Sequence, residues 1–172
     1  MPDQIFKHNP HISSEIKPSK MNIVLFEPEI PANTGNVSRT CTITGAALHL
    51  IEPLGFDISE KAVRRAGLDY WDMLDLHVYK NWEDFLQKNP DANIYLATTK
   101  GSVPYTEISY KPNDYLVFGK ETAGLPEKIH EAYPDHRIKI PIGREFRSLN
   151  LSNSVAIVLY EALRQNNFFD LE

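Results

Sequence analysis

Short apolar runs that alternate with helix-compatible stretches restrict this chain more than any other feature of it. Asn22-Ile23-Val24-Leu25-Phe26 ends before Pro28 and Pro31 and reads as a buried strand. Ala47-Leu48-His49-Leu50-Ile51, stopped by Pro53, reads as a second. Between them Asn33 or Thr34 can cap a helix through about Thr44, and Gly45 can end it. Ser59 can cap a short helix that carries Lys61, Arg64 and Arg65 and stops at Gly67. Residues 75–79 form a modest strand candidate, and Asn81 can cap a helix through Lys88. Residues 93–98, 115–118 and 137–140 are further strands. Residues 125–132 should be helical, because Pro126 falls where a first turn tolerates proline. In the last helix Val155, Val158, Leu159, Ala162 and Leu163 fall at helical spacing, and Asn150 or Ser152 can cap it. It should run to about Gln165. This alternation implies an α/β fold: an open, mostly parallel sheet with helices on both faces.

A length of 172 residues favours one domain with a real core. We expect residues 1–20, which mix Pro2, Pro10 and Pro18 with His, Ser and Lys, to be a flexible extension. They lack the apolar core of a secretory signal. Residues 21–172 then form the domain. No apolar run approaches the roughly 20 residues of a membrane span. The single Cys41 excludes an intramolecular disulfide and a cysteine-rich zinc site, and it fits a reducing cytoplasm. The histidines are scattered without metal-ligand spacing, so no metal is expected. A net charge of -5 argues mildly against a general nucleic-acid binder. Its distribution says more: Lys61, Arg64 and Arg65 cluster, as do Arg137, Lys139, Arg144 and Arg147.

Three polar loop-to-helix junctions point to an enzyme. They are Pro31-Ala32-Asn33-Thr34-Gly35-Asn36-Val37-Ser38-Arg39, Phe118-Gly119-Lys120-Glu121-Thr122-Ala123-Gly124-Leu125-Pro126, and Ile140-Pro141 followed by Arg147-Ser148-Leu149-Asn150-Leu151-Ser152-Asn153. At such places an α/β protein gathers free backbone groups to hold a ligand. Gly119 follows a buried strand, so a ligand could approach its backbone closely, or it is a tight-turn glycine. Glu121, taken alone, reads as a surface carboxylate or a helix-entry charge. Arg39, taken alone, reads as a solvated arginine; beside Asn33, Gly35 and Asn36 it becomes a credible phosphate contact. Ser148, Asn150, Ser152 and Asn153 are denser than capping alone requires. Tyr160 suits either the core or an interface that leaves its polar tip wet. There is no Walker loop, no Gly-x-Ser-x-Gly elbow and no Gly-x-Gly-x-x-Gly fingerprint, so ATP and NAD fit poorly.

Taken in order and spacing, these junctions resemble the SPOUT superfamily of RNA methyltransferases, from Met21 to about Phe169. The likeness is to the type that methylates the ribose 2'-hydroxyl of nucleotide 34 in tRNA, and Arg64-Arg65-Ala66-Gly67-Leu68-Asp69-Tyr70 resembles a stretch typical of it. The resemblance implies a deep C-terminal trefoil knot, a homodimer and an S-adenosylmethionine site built by the knot. It implies cofactor contacts at Ala97, Gly119, Ile140 and Ser148, and Arg39 as the catalytic residue. Asn33, Asn36, Arg64, Arg65, Arg147 and Tyr160 are the expected contacts to a tRNA anticodon loop. Val155, Val158 and Leu159 are expected to supply apolar surface to the dimer. Another RNA target, such as rRNA, and a non-catalytic RNA-binding role are the alternatives. An rRNA enzyme would ordinarily carry an extra RNA-binding domain, for which this length leaves no room.

Overall fold

The computed structural model describes residues 19–59, 61 and 71–172. Its strands are β1 (Asn22–Phe26), β2 (Ala47–Ile51), β3 (Leu76–Tyr79), β4 (Ile94–Ala97), β5 (Val103–Pro104), β6 (Tyr115–Phe118) and β7 (Arg137–Lys139). They form one sheet in the order β3-β2-β1-β6-β4-β7-β5, and every pairing is parallel. The α-helices among the described residues are α1 (Pro31–Thr44), α2 (Trp82–Lys88), α3 (Glu127–Ala132) and α4 (Leu151–Gln165).

Successive side chains of a strand point to opposite faces, and both faces here are covered. Ile23 and Leu25 of β1, with Leu116 and Phe118 of β6, pack with Val37 and Cys41 of α1 and Val155, Val158 and Leu159 of α4. Val24 and Phe26, with Val117, Ile94 and Leu96, pack on the other face with Trp82 and Phe85 of α2 and Ile129 of α3. The expected sheet with helices on both faces is therefore the observed one. Val155, Val158 and Leu159 are fully buried in this core. They leave no surplus apolar surface for a partner, contrary to the expectation placed on them.

Two of the expected caps are in place. Asn81 Oδ1 accepts the Asp84 N–H at 2.8 Å, and Asn150 Oδ1 accepts those of Ser152 at 2.9 Å and Asn153 at 3.3 Å. Gly45 ends α1 in the left-handed region, with φ 72°. The start of α1 differs from expectation. Pro31 opens the helix, Ile30 precedes it without a side-chain cap, and Asn33 and Thr34 lie inside it. Proline suits a first turn because its missing N–H would be unpaired there anyway. Pro126 precedes α3 rather than opening it, and the two-residue edge strand β5 was not anticipated. Most of the expected N-terminal extension, together with Arg64 and Arg65 and nearly all of the helix expected around them, lies outside the described residues.

The sheet order positions a site. From β1 the chain fills one side with β2 and β3, then crosses to the other, where β4 and the edge strand β5 are laid down before β6 inserts between β1 and β4 and β7 inserts between β4 and β5. Parallel strands end at a common edge, and a crevice opens there where the strand order reverses.

Candidate functional site

A cavity of about 440 Å³ lies at that edge, within the size range of small-molecule sites. Residues 97–100 after β4, 118–125 after β6 and 147–151 before α4 supply most of its wall. Ile30 and Asn33 enter from the corner between β1 and α1.

Gly119 is on this wall, but its neighbour is the protein itself. A Cβ there would stand 2.3 Å from the Gly124 carbonyl carbon and 2.4 Å from the Leu125 nitrogen. The loop folds back on the residue that leaves β6, the Gly124 N–H donates to the Lys120 carbonyl at 2.9 Å, and Gly124 takes φ +65°. The glycine is thus required by close approach of the loop's own backbone, as the tight-turn reading expects.

Glu121 ties the three junctions together. Its Oε2 accepts the Glu29 N–H at 2.8 Å, and its Oε1 accepts the Ile30 N–H at 3.0 Å and the Asn33 amide at 3.3 Å. Asn33 Oδ1 in turn accepts the Asn150 amide at 3.1 Å. The Glu29 carboxylate answers by accepting the Thr122 hydroxyl at 2.8 Å, and Lys120 Nζ pairs with Glu27 at 3.1 Å. Hydrogen bonds to a carboxylate are roughly twice as strong as neutral ones, so this web holds the loops in register. Glu121 is therefore not a loose surface charge; it stands at a helix entrance, that of α1, where it accepts the N–H of Ile30, the residue that precedes the helix. Asn33, expected to meet RNA, is 7% exposed, and its amide is engaged on both sides by protein.

The cavity brings together Ala97, Gly119, Ile140 and Ser148, and it adds Asn33 and Arg147. It does not include Asn36, Arg39 or Tyr160, all of which are exposed. Arg39 lies six residues beyond Asn33, so helix geometry puts it roughly 9 Å further along α1 and turned about 120° away. Residues 141–150 are exposed throughout, including Phe146 at 68%. The wall residues missed by sequence reasoning include Thr98, Thr99, Lys100 and His130. Thr98-Thr99-Lys100-Gly101 carried the same signal as the other junctions, a strand end followed by small polar residues and glycine. His130 carried none.

Residues 20–160 match the SpoU rRNA Methylase family. The chain belongs to the SpoU methylase family. A tRNA (cytidine(34)-2'-O)-methyltransferase from Methylovorus glucosotrophus is 47% identical to it over 148 residues, which cover 86% of this chain and 96% of that one. A solved structure concerned with 2-OH methylation of C/U34 on tRNA superposes with a TM-score of 0.82 at 41% identity, covering 87% of this chain and 98% of that one. An AdoMet-bound rRNA methyltransferase from Sinorhizobium meliloti superposes with a TM-score of 0.75 at 27% identity, over 84% of this chain and 56% of that one. In this SpoU methylase, no helix among the described residues is long and apolar enough to cross a membrane. No cluster of His, Cys, Asp or Glu suited to a metal ion occurs among them.

Proposed function

We infer that this SpoU methylase transfers a methyl group from S-adenosylmethionine to the ribose 2'-hydroxyl of the wobble nucleotide, cytidine or uridine 34, of a tRNA. The observation that carries the reading is the web in which Glu121 and Asn33 join the three junctions around one ligand-sized cavity. A relative of nearly the same length and 47% identity is named for that reaction, and a more distant structural neighbour is AdoMet-bound.

The residues on the wall fit such a cofactor. Backbone groups beside Ala97, Gly119 and Ile140 suit its adenosine part, and Ser148 lies on the facing loop. When bound, S-adenosylmethionine supplies a methyl group on a positively charged sulfur. The protein's task is to exclude water and fix an in-line approach, which requires no metal. Arg39 stands outside the cavity, where it can hold an RNA phosphate and steady the charge that develops on the ribose oxygen. A guanidinium keeps its proton, so Arg39 organises the hydroxyl rather than deprotonating it. Arg147 on the wall and Asn36 beside Arg39 are the nearest further RNA contacts, with Tyr160 on the outer face of α4. Arg64 and Arg65 complete the proposed RNA surface.

A homodimer and the trefoil knot belong to the same reading. Ile43 on α1 and Tyr160 on α4 are 54% and 43% exposed, and α1 and α4 pack side by side. A second copy laid on that pair would cover them and bring one subunit's Arg39 toward its partner's cavity. Light scattering at micromolar concentration should give twice the chain mass, and a monomer mass refutes the pairing. The function itself is tested in chelator. Calorimetry should show S-adenosylmethionine binding in the micromolar range, roughly typical of cofactors. Tritiated methyl transfer should label tRNA at nucleotide 34. Label found only in rRNA, or binding that needs a divalent ion, overturns the reading.

A further inference from the structure

Phe146 is 68% exposed, on a turn beside the cavity. A single exposed apolar side chain needs no explanation by itself. This one differs in its surroundings. Ile142 before it and Arg147, Ser148 and Leu149 after it all line the cavity, while Phe146 does not. Arg144 and Arg147 flank it, and neither forms an ion pair among the described residues. Glu145 is the one acid in the turn and offsets only one of them. An aromatic ring and an excess of positive charge therefore stand together next to the cavity.

Backbone builds the turn. The Phe146 N–H donates to the Gly143 carbonyl at 3.0 Å. A Cβ on residue 143 would stand 3.0 Å from Phe146 Cδ2 and 3.2 Å from Cε2, so glycine there lets the ring lie against the turn. One edge of the ring is covered in this way, and most of the rest meets solvent. The ring belongs to neither hydrophobic cluster of the core, so its place is set by the turn and not by the needs of folding.

We propose that Phe146 stacks on a nucleobase of the RNA, that of the methylated nucleotide or of one of its two neighbours, while Arg144 holds a phosphate beside it. The proposal rests on the RNA-methylation reading above. Methyl transfer requires the target ribose to reach the cavity, which pulls its nucleotide out of the stack and exposes base faces within about one nucleotide of the wall. Aromatic side chains take up such unstacked bases whatever their sequence, because every base has a π-face. The other candidate occupant is a second copy of this chain. Two copies paired symmetrically on this turn would set arginines against arginines, whereas a polyanion meets them with opposite charge.

Fluorescence anisotropy tests it, with a labelled, unmodified tRNA transcript carrying cytidine 34 and with S-adenosylhomocysteine present. Phe146→Ala should weaken tRNA binding about 5- to 150-fold, the range for one stacked base. Phe146→Trp, which keeps a π-face, should bind within about 3-fold of the parent protein. Phe146→Leu, which keeps apolar bulk without that face, should not recover the loss. Phe146→Ala should leave the dependence of log affinity on log salt unchanged, and Arg144→Ala should lower its slope by about one. Transcripts made abasic at nucleotide 34 and at each of its two neighbours locate the partner: at one of the three positions, Phe146→Ala should cost nothing further. S-adenosylhomocysteine affinity by calorimetry and mass by light scattering should match the parent in every variant. A parent protein that binds no tRNA sinks the functional reading. Parent binding with Phe146→Ala unchanged, recovery by Phe146→Leu, or a full loss on all three abasic transcripts sinks this proposal alone. A weakened cofactor would place the ring on the adenosine, and a lowered mass would place it on a second copy; either overturns it.

Discussion

Gly119→Val should weaken S-adenosylmethionine binding by about 100-fold or abolish it. The added Cβ would lie 2.3–2.6 Å from backbone atoms of Gly124 and Leu125, and backbone cannot rotate aside as a side chain can. Forcing extra atoms into packed structure costs about 1–3 kcal/mol, and each 1.4 kcal/mol is a factor of ten in affinity. The damage spreads, because the same loop carries Glu121, whose carboxylate holds residues 29, 30 and 33 in place. Gly143→Ala is the matched control. There the obstructing atoms, at 3.0 and 3.2 Å, belong to the Phe146 ring, which is 68% exposed and can move. That variant should bind within a few-fold of the parent. Calorimetry on both decides the matter, and parent-like affinity in Gly119→Val would mean that the loop yields and does not shape the cavity.

The contrast between these glycines shows what sequence could and could not disclose. Gly119 stood out because it follows a buried strand, yet whether a ligand or the chain itself crowds it depends on where Gly124 returns. Local signals behaved well. The caps at Asn81 and Asn150 were legible because each needs only a side chain two or three residues from its N–H partners. The alternation of strands and helices gave the layered fold because burial on both faces leaves its mark on inner strands such as β1 and β2, while the partly exposed two-residue edge strand β5 went unread. Long-range polar ties were opaque. Glu121 meets Asn33 across 88 positions and Asn150 meets Asn33 across 117, and nothing in local spacing reports such a pairing. For the same reason Asn33 read as a helix cap and an RNA contact, while its amide is bound to Glu121 and Asn150. His130 was invisible because a lone histidine on a short helix has no pattern. Val155, Val158 and Leu159 were correctly placed on one face of α4, but periodicity does not distinguish a protomer's own core from a partner's.

Arg39→Ala should leave cofactor affinity within about 2-fold of the parent and reduce methyl transfer to tRNA by about 10²–10³, the usual effect of losing one contact made to developing charge. The two halves of this expectation come from one geometric fact. Arg39 does not line the cavity, so it has no place among the cofactor contacts. It lies on the exposed part of the helix whose buried residue Asn33 is anchored to Glu121, so the backbone that carries it is held in place although the side chain stands outside the cavity. A residue carried on such a helix, but not in the cavity, suits the second reactant rather than the first. Arg39→Lys separates charge from shape. A lysine keeps the positive charge but lacks the planar fork that grips phosphate with two hydrogen bonds, so it should restore only part of the rate. Tritiated methyl transfer to tRNA, measured with saturating cofactor and alongside S-adenosylhomocysteine affinity, reads both quantities. Near-parental transfer by Arg39→Ala would return Arg39 to a solvated surface arginine. A parallel loss of cofactor affinity would instead mean that α1 reaches the cavity in the working enzyme, and that the separation of the two binding roles is wrong.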